Sequence, residues 1–210
     1  MNQRLGAACG IGAEFGTRGR DATMSEVFHV FGYGSLMWRP GFAHVAAVPA
    51  LLAGSHRSLC VYSWVHRGTQ EAPGLVFGLD RGGACRGIAF AVPADRREEV
   101  VAYLRAREQV TMVYREVTRP VRLMDGTNRI VPALAYVIDR AHPQYAGRLP
   151  VERRLEIVRA GRGVSGANPD YVLSTAAHMR DLGIRDPEIE AMVAALGEGE
   201  SEERLADVPV

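Results

Sequence analysis

Two glycines, Gly32 and Gly34, flank a tyrosine directly after an apolar run that includes Val30 and Phe31. Glycine allows a backbone to turn sharply and allows a ligand to approach its N–H groups closely. A row of such N–H groups can bind a carboxylate or a developing oxyanion, and Ser35 adds a hydroxyl beside them. The alternative is a glycine-rich turn that only ends a core strand.

The same loop lacks the residues that other well-known binding and catalytic loops require. A dinucleotide fingerprint needs a third glycine and an immediate helix, whereas Trp38-Arg39-Pro40-Gly41 follows here. A P-loop needs Gly-Lys-Ser/Thr, which is absent. No nucleophile-elbow pattern surrounds Ser35. A hydrolase that uses Ser35 or a cysteine would therefore lack a base at a recognisable spacing.

A second residue that could do chemistry, Glu108, follows a segment with helical periodicity. The sequence predicts a helix that runs from Asp95, an N-cap with Glu98 as its capping-box partner, to about Arg107. Its apolar stripe comprises Val100, Val101 and Leu104. Because successive helical residues are rotated by about 100°, the stripe continues to Glu108. We therefore expect Glu108 to point into the interior.

An interior carboxylate at the C-terminal end of a helix has a perturbed acidity. Burial disfavours its ionised form, and so does the negative end of the helix dipole. Both effects raise the pKa of Glu108 toward the range in which a carboxylate can accept and return a proton near neutral pH. The alternative is a helix-end glutamate paired with Arg105, Arg107 or Arg115, and the pattern leaves both open.

Three segments, in the same order, resemble the ChaC family, the glutathione-specific γ-glutamylcyclotransferases. Tyr33-Gly34-Ser35-Leu36, followed by Met37-Trp38, resembles the signature loop of that family. Tyr103-Leu104-Arg105-Ala106-Arg107-Glu108 is similar to the segment whose Arg-Glu pair contains the catalytic glutamate. Ser165-Gly166-Ala167-Asn168-Pro169-Asp170-Tyr171 resembles a late Asn-Tyr pattern near a Ser-Gly. Residues 67–74 also look like those of bacterial members.

The resemblance covers roughly residues 27 to 195 and implies a fold, a reaction and a site. The implied fold is the γ-glutamylcyclotransferase-like fold, a small mixed β-barrel flanked by helices. The implied reaction is attack of the α-amine of glutathione on its own γ-carbonyl, which releases 5-oxoproline and L-cysteinylglycine, with Glu108 as general acid and base. The implied substrate-binding residues are Val30, Phe31, Gly32, Tyr33, Gly34, Ser35, Leu36 and Tyr171. No metal, cofactor or enzyme nucleophile is implied.

Several of these assignments keep an alternative. Tyr171 could be a core or helix-face tyrosine. Arg39 and Arg57 could bind the glycyl carboxylate of glutathione, or each could be an ordinary surface arginine. The chain could instead cyclise other γ-glutamyl amino acids or amines, which its Leu-Met-Trp continuation after Ser35 argues against. It could also be a non-catalytic binding module on the same fold, which the presence of Glu108 argues against.

The elements expected to position these residues follow the order strands, helix, hairpin, helices, which is typical of the α+β class. The predicted strands span residues 27–31, 56–64, 75–79, 85–92, 115–123 and 130–138. After the helix that ends near Arg107, helices are predicted at 149–161, at 168–183 with Asn168 as N-cap, and at 187–196. Turns are predicted at 80–83 and at Asp125-Gly126, and a flexible connection at 163–166.

Composition excludes several classes of protein. The 210 residues are 47% hydrophobic and 23% charged, which suits a soluble domain with a substantial core. The net charge of +1 predicts no nucleic-acid surface, and no apolar run is long enough to span a bilayer. Three cysteines without a CxxC pair argue against a disulfide framework and favour a reducing cytoplasm. The histidine spacing predicts no metal site.

The chain is expected to form one domain with an appendage at each end. Residues 1–24 lack periodicity and predict a flexible extension, with Met24 as an alternative start. Residues 25–196 predict a single cyclotransferase domain, and residues 197–210 an acidic, solvated tail. A monomer or weak homodimer is expected, with glutathione as the partner molecule.

Overall fold

The computed structural model describes the backbone of residues 26–206 and the side chains of residues 26–197; the predicted extension at 1–24 lies outside the described residues. Five strands close into a barrel in the order β1-β3-β2-β4-β5. They are β1 (Val27–Gly32), β2 (Ala46–Ser63), β3 (Gly74–Pro93), β4 (Tyr114–Leu123) and β5 (Ile130–Ile138). Strand β1 is parallel to β5, and the other neighbours are antiparallel. The predicted mixed β-barrel is confirmed.

The described part of the chain contains four α-helices, which pack on the outside of this barrel. They are α1 (Arg97–Glu108), α2 (Val151–Ala160), α3 (Asn168–Asp181) and α4 (Pro187–Ala206). One core cluster, which includes Phe31, consists of strand residues and Tyr33 and fills the barrel. A second cluster joins Val30 and other outward-facing strand residues to all four helices. Successive strand residues point to opposite faces, which explains why Val30 and Phe31 belong to different clusters.

Strands β2 and β3 are longer than the sequence predicted. The expected turn at 80–83 is wrong, because β3 continues through it. Gly82 and Gly83 have φ of +100° and +66° and lie opposite Gly54, with φ of +80°, where the pairing between the strands shifts register. These glycines therefore form a bulge that bends a long hairpin rather than ending a strand.

The start of α1 also differs from the prediction. A 3-10 turn, Ala94–Arg96, precedes the helix, and no side chain caps it. The predicted capping box of Asp95 and Glu98 is therefore wrong. Two of the three residues of the predicted apolar stripe, Val100 and Leu104, are buried, and the third, Val101, is partly exposed.

The residues before α3 are ordered rather than flexible. Residues 163–166 form the turn of a small hairpin, β6 (Arg162–Gly163) and β7 (Gly166–Ala167). Two hydrogen bonds hold this hairpin on the loop after β2: Val164 N–H donates to the Val65 carbonyl and Ser165 N–H to the His66 carbonyl, both at 3.0 Å. The predicted flexible connection is therefore wrong. Gly183, with φ of +66°, follows the end of α3, as predicted.

Asn168 is not the N-cap of α3, and this prediction is wrong. Ala167 occupies the cap position, without a side-chain cap. The Asn168 side chain is completely buried; its Oδ1 accepts from Leu75 N–H at 2.6 Å and its Nδ2 donates to the Leu75 carbonyl at 2.7 Å. The Asn168 amide thus makes the two backbone hydrogen bonds with Leu75 that a neighbouring strand would otherwise make at this edge of β3.

Replacing Asn168 by alanine is expected to lower the free energy of unfolding by about 2–4 kcal/mol, because it leaves two buried backbone groups of Leu75 without partners. Urea denaturation monitored by far-UV circular dichroism measures this change. A loss below about 0.5 kcal/mol would contradict the assignment, since it would mean that the strand edge does not depend on this amide.

Helix α4 continues beyond its expected end at Leu196 to Ala206. In the part of the chain that the structure describes, no helix is long and apolar enough to cross a membrane.

Candidate active site

A cavity of about 730 Å³ lies where the loop after β1, the end of α1, the start of β4 and α3 meet. It is lined in part by Ser35, Arg67, Arg107, Glu108, Tyr114 and Tyr171. The structure therefore brings together Ser35, Glu108 and Tyr171, which come from the three segments singled out in the sequence. Among residues 26–197, no group of three or more His, Cys, Asp or Glu side chains could hold a metal ion.

Glu108 is the last residue of α1, and its side chain is 18% exposed. Burial raises the pKa of its carboxyl group, and the Arg107 guanidinium, whose Nε lies 3.2 Å from Oε1, partly offsets that rise. The two interpretations left open by the sequence therefore both hold: Glu108 points inward and pairs with Arg107. Arg105 instead pairs with Glu116 at 2.8 Å.

Arg107 connects the end of α1 to the loop after β1. Its Nη2 donates to Ser35 Oγ at 2.9 Å, and its Nη1 donates to the Arg39 carbonyl at 2.6 Å and to the Tyr103 hydroxyl at 3.0 Å. The planar guanidinium can make these bonds and still pair with Glu108. Sequence reasoning treated Arg107 only as a possible ion-pair partner; its place beside Glu108 was the available signal.

The loop after β1 contains a 3-10 turn, Ser35–Met37. Within it, Met37 N–H donates to the Gly34 carbonyl and Arg39 N–H to the Ser35 carbonyl, both at 2.9 Å. The first N–H groups of a helical turn have no acceptor inside the turn. The N–H groups of Ser35 and Leu36 therefore have no acceptor inside the turn, and Ser35 lines the cavity.

The two glycines of the loop serve different purposes. A Cβ at Gly32 would lie 3.1 Å from the Leu36 Cβ and 3.2 Å from the Phe90 ring, whereas a Cβ at Gly34 would meet no atom within 4 Å. A side chain at Gly32 would therefore be tightly packed against Leu36 and Phe90, whereas one at Gly34 would face open space.

Most of the other residues predicted in this loop are buried. Val30 and Phe31 are 0% and 1% exposed, and the side chains of Tyr33 and Leu36 are also in the core. Ser35 is the member of the predicted set at 30–36 that lines the cavity.

Arg57 is neither a surface residue nor available to a substrate. Its side chain is 3% exposed and pairs with Asp186 at 3.1 Å. Its Nε donates to the Tyr33 carbonyl at 2.5 Å, and its Nη2 donates to the Arg86 carbonyl at 2.6 Å. The structure thus removes Arg57 as a candidate for binding a substrate carboxylate and makes it a support of the glycine loop.

Two tyrosine hydroxyls meet the backbone of Phe77 at the open edge of β3. The Tyr171 hydroxyl accepts a hydrogen bond from Phe77 N–H at 3.2 Å, and the Tyr114 hydroxyl donates to the Phe77 carbonyl at 2.8 Å. The Tyr171 hydroxyl can therefore donate a hydrogen bond to another acceptor. Burial is the main cause that raises the pKa of Tyr171 to about 12, so it remains a donor at neutral pH. Sequence reasoning missed Tyr114, because only closure of the barrel brings it to the cavity.

Comparison with known proteins gives consistent results. The family model described as ChaC-like protein matches residues 28–198. The chain is 30% identical over 167 residues to the glutathione-specific γ-glutamylcyclotransferase of Escherichia coli K12, covering 80% of this chain and 71% of that protein. It is 35% identical over 178 residues to the human glutathione-specific γ-glutamylcyclotransferase 1, covering 82% and 79%.

The fold comparison agrees with the sequence comparison. The crystal structure of a yeast γ-glutamylcyclotransferase specific to glutathione superimposes with a TM-score of 0.74 at 19% identity, covering 82% of this chain and 96% of that one. The predicted γ-glutamylcyclotransferase-like fold is confirmed.

Proposed function

The chain belongs to the ChaC-like protein family, and from that premise we propose that it cyclises the γ-glutamyl group of glutathione, releasing 5-oxoproline and L-cysteinylglycine. The observation that carries the proposal is the position of Glu108. A carboxylate whose pKa is raised by burial shares one cavity with Ser35, where a 3-10 turn begins whose first N–H groups have no acceptor inside the turn. A general base and an oxyanion site are the two parts that an internal aminolysis requires.

The reaction needs a substrate bent so that its α-amine meets its γ-carbonyl, and one group that transfers protons. Binding brings the α-amine of the γ-glutamyl group against its own γ-carbonyl, and this near-attack geometry supplies much of the rate. Glu108 takes a proton from the ammonium group, the C–N bond of the five-membered ring forms, and the carbonyl electrons move to oxygen. Glu108 then gives that proton to the nitrogen of cysteinylglycine as the carbonyl re-forms and the old C–N bond breaks. The ring nitrogen loses a second proton to the ionised Glu108, which passes it to the released amine, so that cysteinylglycine leaves as an ammonium. The two protons lost by the attacking nitrogen are thus the two gained by the departing nitrogen, and the balance closes without a cofactor.

The remaining residues have binding and supporting roles in this proposal. The N–H groups of Ser35 and Leu36, with the Ser35 hydroxyl, bind the γ-glutamyl part and the oxyanion. The Tyr171 hydroxyl donates a hydrogen bond to the substrate. Val30 and Phe31 act indirectly, because their buried side chains fix the start of the loop. The proposed location is the cytoplasm, which the two free and buried thiols, Cys60 and Cys85, favour.

The experiment that tests the function is release of 5-oxoproline from glutathione by the purified protein, with γ-glutamyl-alanine as a parallel substrate. Activity on glutathione alone is the expected result. Activity on γ-glutamyl-alanine instead would assign the chain to the broader cyclotransferases. No product from either substrate would point to a binding module.

The pH dependence of the reaction is expected to respond to Arg107. The base must be ionised, so kcat/KM falls as the pH falls through the pKa of Glu108. The part of the pH profile in which kcat/KM falls toward low pH is its acid limb. Because the Arg107 cation lowers the Glu108 pKa that burial has raised, Arg107→Met should move the acid limb to higher pH. The other titratable neighbours, Tyr33, Tyr114 and Tyr171, have raised pKa values, mainly through burial, and stay neutral over this range.

A matched variant separates charge from geometry. Arg107→Lys keeps the cation but loses the planar set of donors to Ser35 and the Arg39 carbonyl. We expect its acid limb to stay near that of the wild type while kcat falls by about 10-fold through misplacement of the loop. Identical acid limbs in the methionine and lysine variants would show that Arg107 does not control the acidity of Glu108.

A further inference from the structure

Glutathione carries a glycyl carboxylate that γ-glutamyl-alanine and shorter compounds cannot place at the same distance from the reacting carbonyl. On the basis of the proposed function, we propose that Arg67 binds this glycyl carboxylate and is the residue that sets the preference for glutathione. The cations of the cavity, the contacts that hold Arg67 and its place beside the Tyr171 ring support this assignment.

Four cationic or potentially cationic side chains line the cavity: Arg39, His66, Arg67 and Arg107. Arg107 is committed to Glu108 and to the loop after β1. Arg39 is exposed and follows the turn that binds the γ-glutamyl part. His66 holds Ser165 Oγ through its Nδ1 at 3.0 Å. Arg67 is the remaining cation, and it belongs to the loop after β2 rather than to the loop after β1.

The Arg67 guanidinium is held in one orientation and still has N–H groups that can bind a ligand. Its Nη1 donates to the Ala167 carbonyl at 3.1 Å, and its guanidinium carbon lies 5.3 Å from the centre of the Tyr171 ring. Within residues 26–197, no protein acceptor is paired with its Nε or Nη2. Two neighbouring guanidinium nitrogens match the geometry of one carboxylate.

The backbone of Arg67 is held by close packing. Its N–H donates to Ser63 Oγ at 3.0 Å. A Cβ on Gly74 would lie 2.1 Å from the Arg67 carbonyl oxygen, and a Cβ on Gly161 would lie 2.8 Å from it. Only glycine therefore fits at these two positions. Such a preformed anchor binds its ligand with less loss of conformational freedom.

Tyr171 lies beside Arg67, since its ring centre is 5.3 Å from the Arg67 guanidinium carbon, and it lines the same cavity as Glu108. An extended Cys-Gly segment spans at most about 7 Å. A glutathione molecule that reaches from Glu108 to Arg67 would pass along Tyr171, whose hydroxyl proton is available for a peptide carbonyl. Asp170, the other acidic residue of the lining, forms no ion pair with Arg67.

The test compares glutathione with its glycine carboxamide, which differs only in lacking the terminal charge. We expect the wild type to prefer glutathione in kcat/KM by on the order of 100-fold, because the carboxamide leaves the guanidinium without its anionic partner. Arg67→Met should reduce kcat/KM for glutathione to the value for the carboxamide, mainly through KM, and leave the carboxamide unchanged. Arg67→Lys should restore part of the preference as a point charge.

Two further variants make the result decisive. Arg162→Met removes an exposed arginine outside the cavity, from the β6–β7 hairpin that is hydrogen-bonded to the loop containing Arg67, and should keep the wild-type preference. Arg39→Met tests the competing cation. Retention of the preference by Arg67→Met, or its loss in Arg39→Met instead, would overturn the proposal.

Failure of the proposed function would give a different result. If the wild type made no 5-oxoproline from either compound, calorimetric binding of glutathione and of the carboxamide would still test Arg67. Equal binding of glutathione by the wild type and Arg67→Met would then overturn the proposal.

Discussion

Replacing Glu108 by glutamine is expected to lower kcat/KM for 5-oxoproline release from glutathione by about 10²–10⁴-fold, the range associated with a positioned general acid–base group. Glutamine has nearly the same size and can still accept a hydrogen bond from Arg107, but it cannot take a proton from the substrate ammonium. The expected loss is therefore in kcat, with KM little changed. Initial rates of 5-oxoproline formation, measured by chromatography, give both constants.

The control is Glu98→Gln, which removes an exposed carboxylate from the same helix and should leave both constants unchanged. Full activity in Glu108→Gln would refute the mechanism. A loss of activity counts for the mechanism only in a folded protein, so the stability of Glu108→Gln must be measured as well.

The free energy of unfolding provides that measurement, and the pKa of Glu108 determines how the difference between Glu108→Gln and the wild type changes with pH. The pKa of its carboxyl group is raised above the ordinary value of 4.5 by burial, so the folded state favours the neutral form. Below that ordinary value the carboxyl is neutral in both states, and its contribution to stability is fully present; as the pH rises through the raised pKa, that contribution is lost. Glutamine does not ionise. Glu108→Gln should therefore gain stability relative to the wild type as the pH rises to neutral, as measured by urea denaturation.

The sequence predicted this residue because the signal is local. The position of Glu108 depends on the spacing of Val100 and Leu104 within one helix, and helical geometry alone converts that spacing into a direction. The loop at 32–35 was predictable for the same reason, since its glycines and serine are contiguous. The family resemblance supplied the barrel, which the order of elements alone did not specify.

Three of the differences between prediction and structure have a common physical cause: each concerns a residue whose partner is distant in sequence. Asn168 has a residue type typical of an N-cap, but its amide lies against Leu75, 93 positions away. Tyr114 reaches Phe77 only after the barrel closes. Gly82 and Gly83 look like a turn unless the bulge opposite Gly54 is known. Local propensity does not contain these pairings, which tertiary packing decides.

Arg57 is the most consequential of these cases, and its replacement is expected to have the largest effect on stability. Arg57→Met should lower the free energy of unfolding by about 3–5 kcal/mol, the cost of removing one partner of a buried ion pair. Asp186 loses its cation, and the carbonyls of Tyr33 and Arg86 lose their donors. Methionine fills a similar volume, so the loss reports polar groups rather than a cavity.

Asp186→Asn is the matched control, because it removes the charge of the partner and leaves both carbonyl bonds of Arg57 in place. Asp186 is 18% exposed, against 3% for Arg57, so water can compensate at its end of the pair. We expect a loss less than half that of Arg57→Met in thermal and urea unfolding. Equal losses in the two variants would mean that the ion pair, and not the support of the two carbonyls, is what Arg57 contributes.

The same pair of variants links stability to catalysis. The Tyr33 carbonyl precedes the turn that carries the N–H groups of Ser35 and Leu36, so loss of the Arg57 donor should displace the oxyanion site. At a temperature where both variants are folded, we expect kcat for 5-oxoproline release to fall about 10-fold or more in Arg57→Met and to remain near the wild-type value in Asp186→Asn. A folded Arg57→Met protein with the wild-type kcat would show that the loop keeps its position without this buried arginine, and that the oxyanion site is held by Arg107 alone.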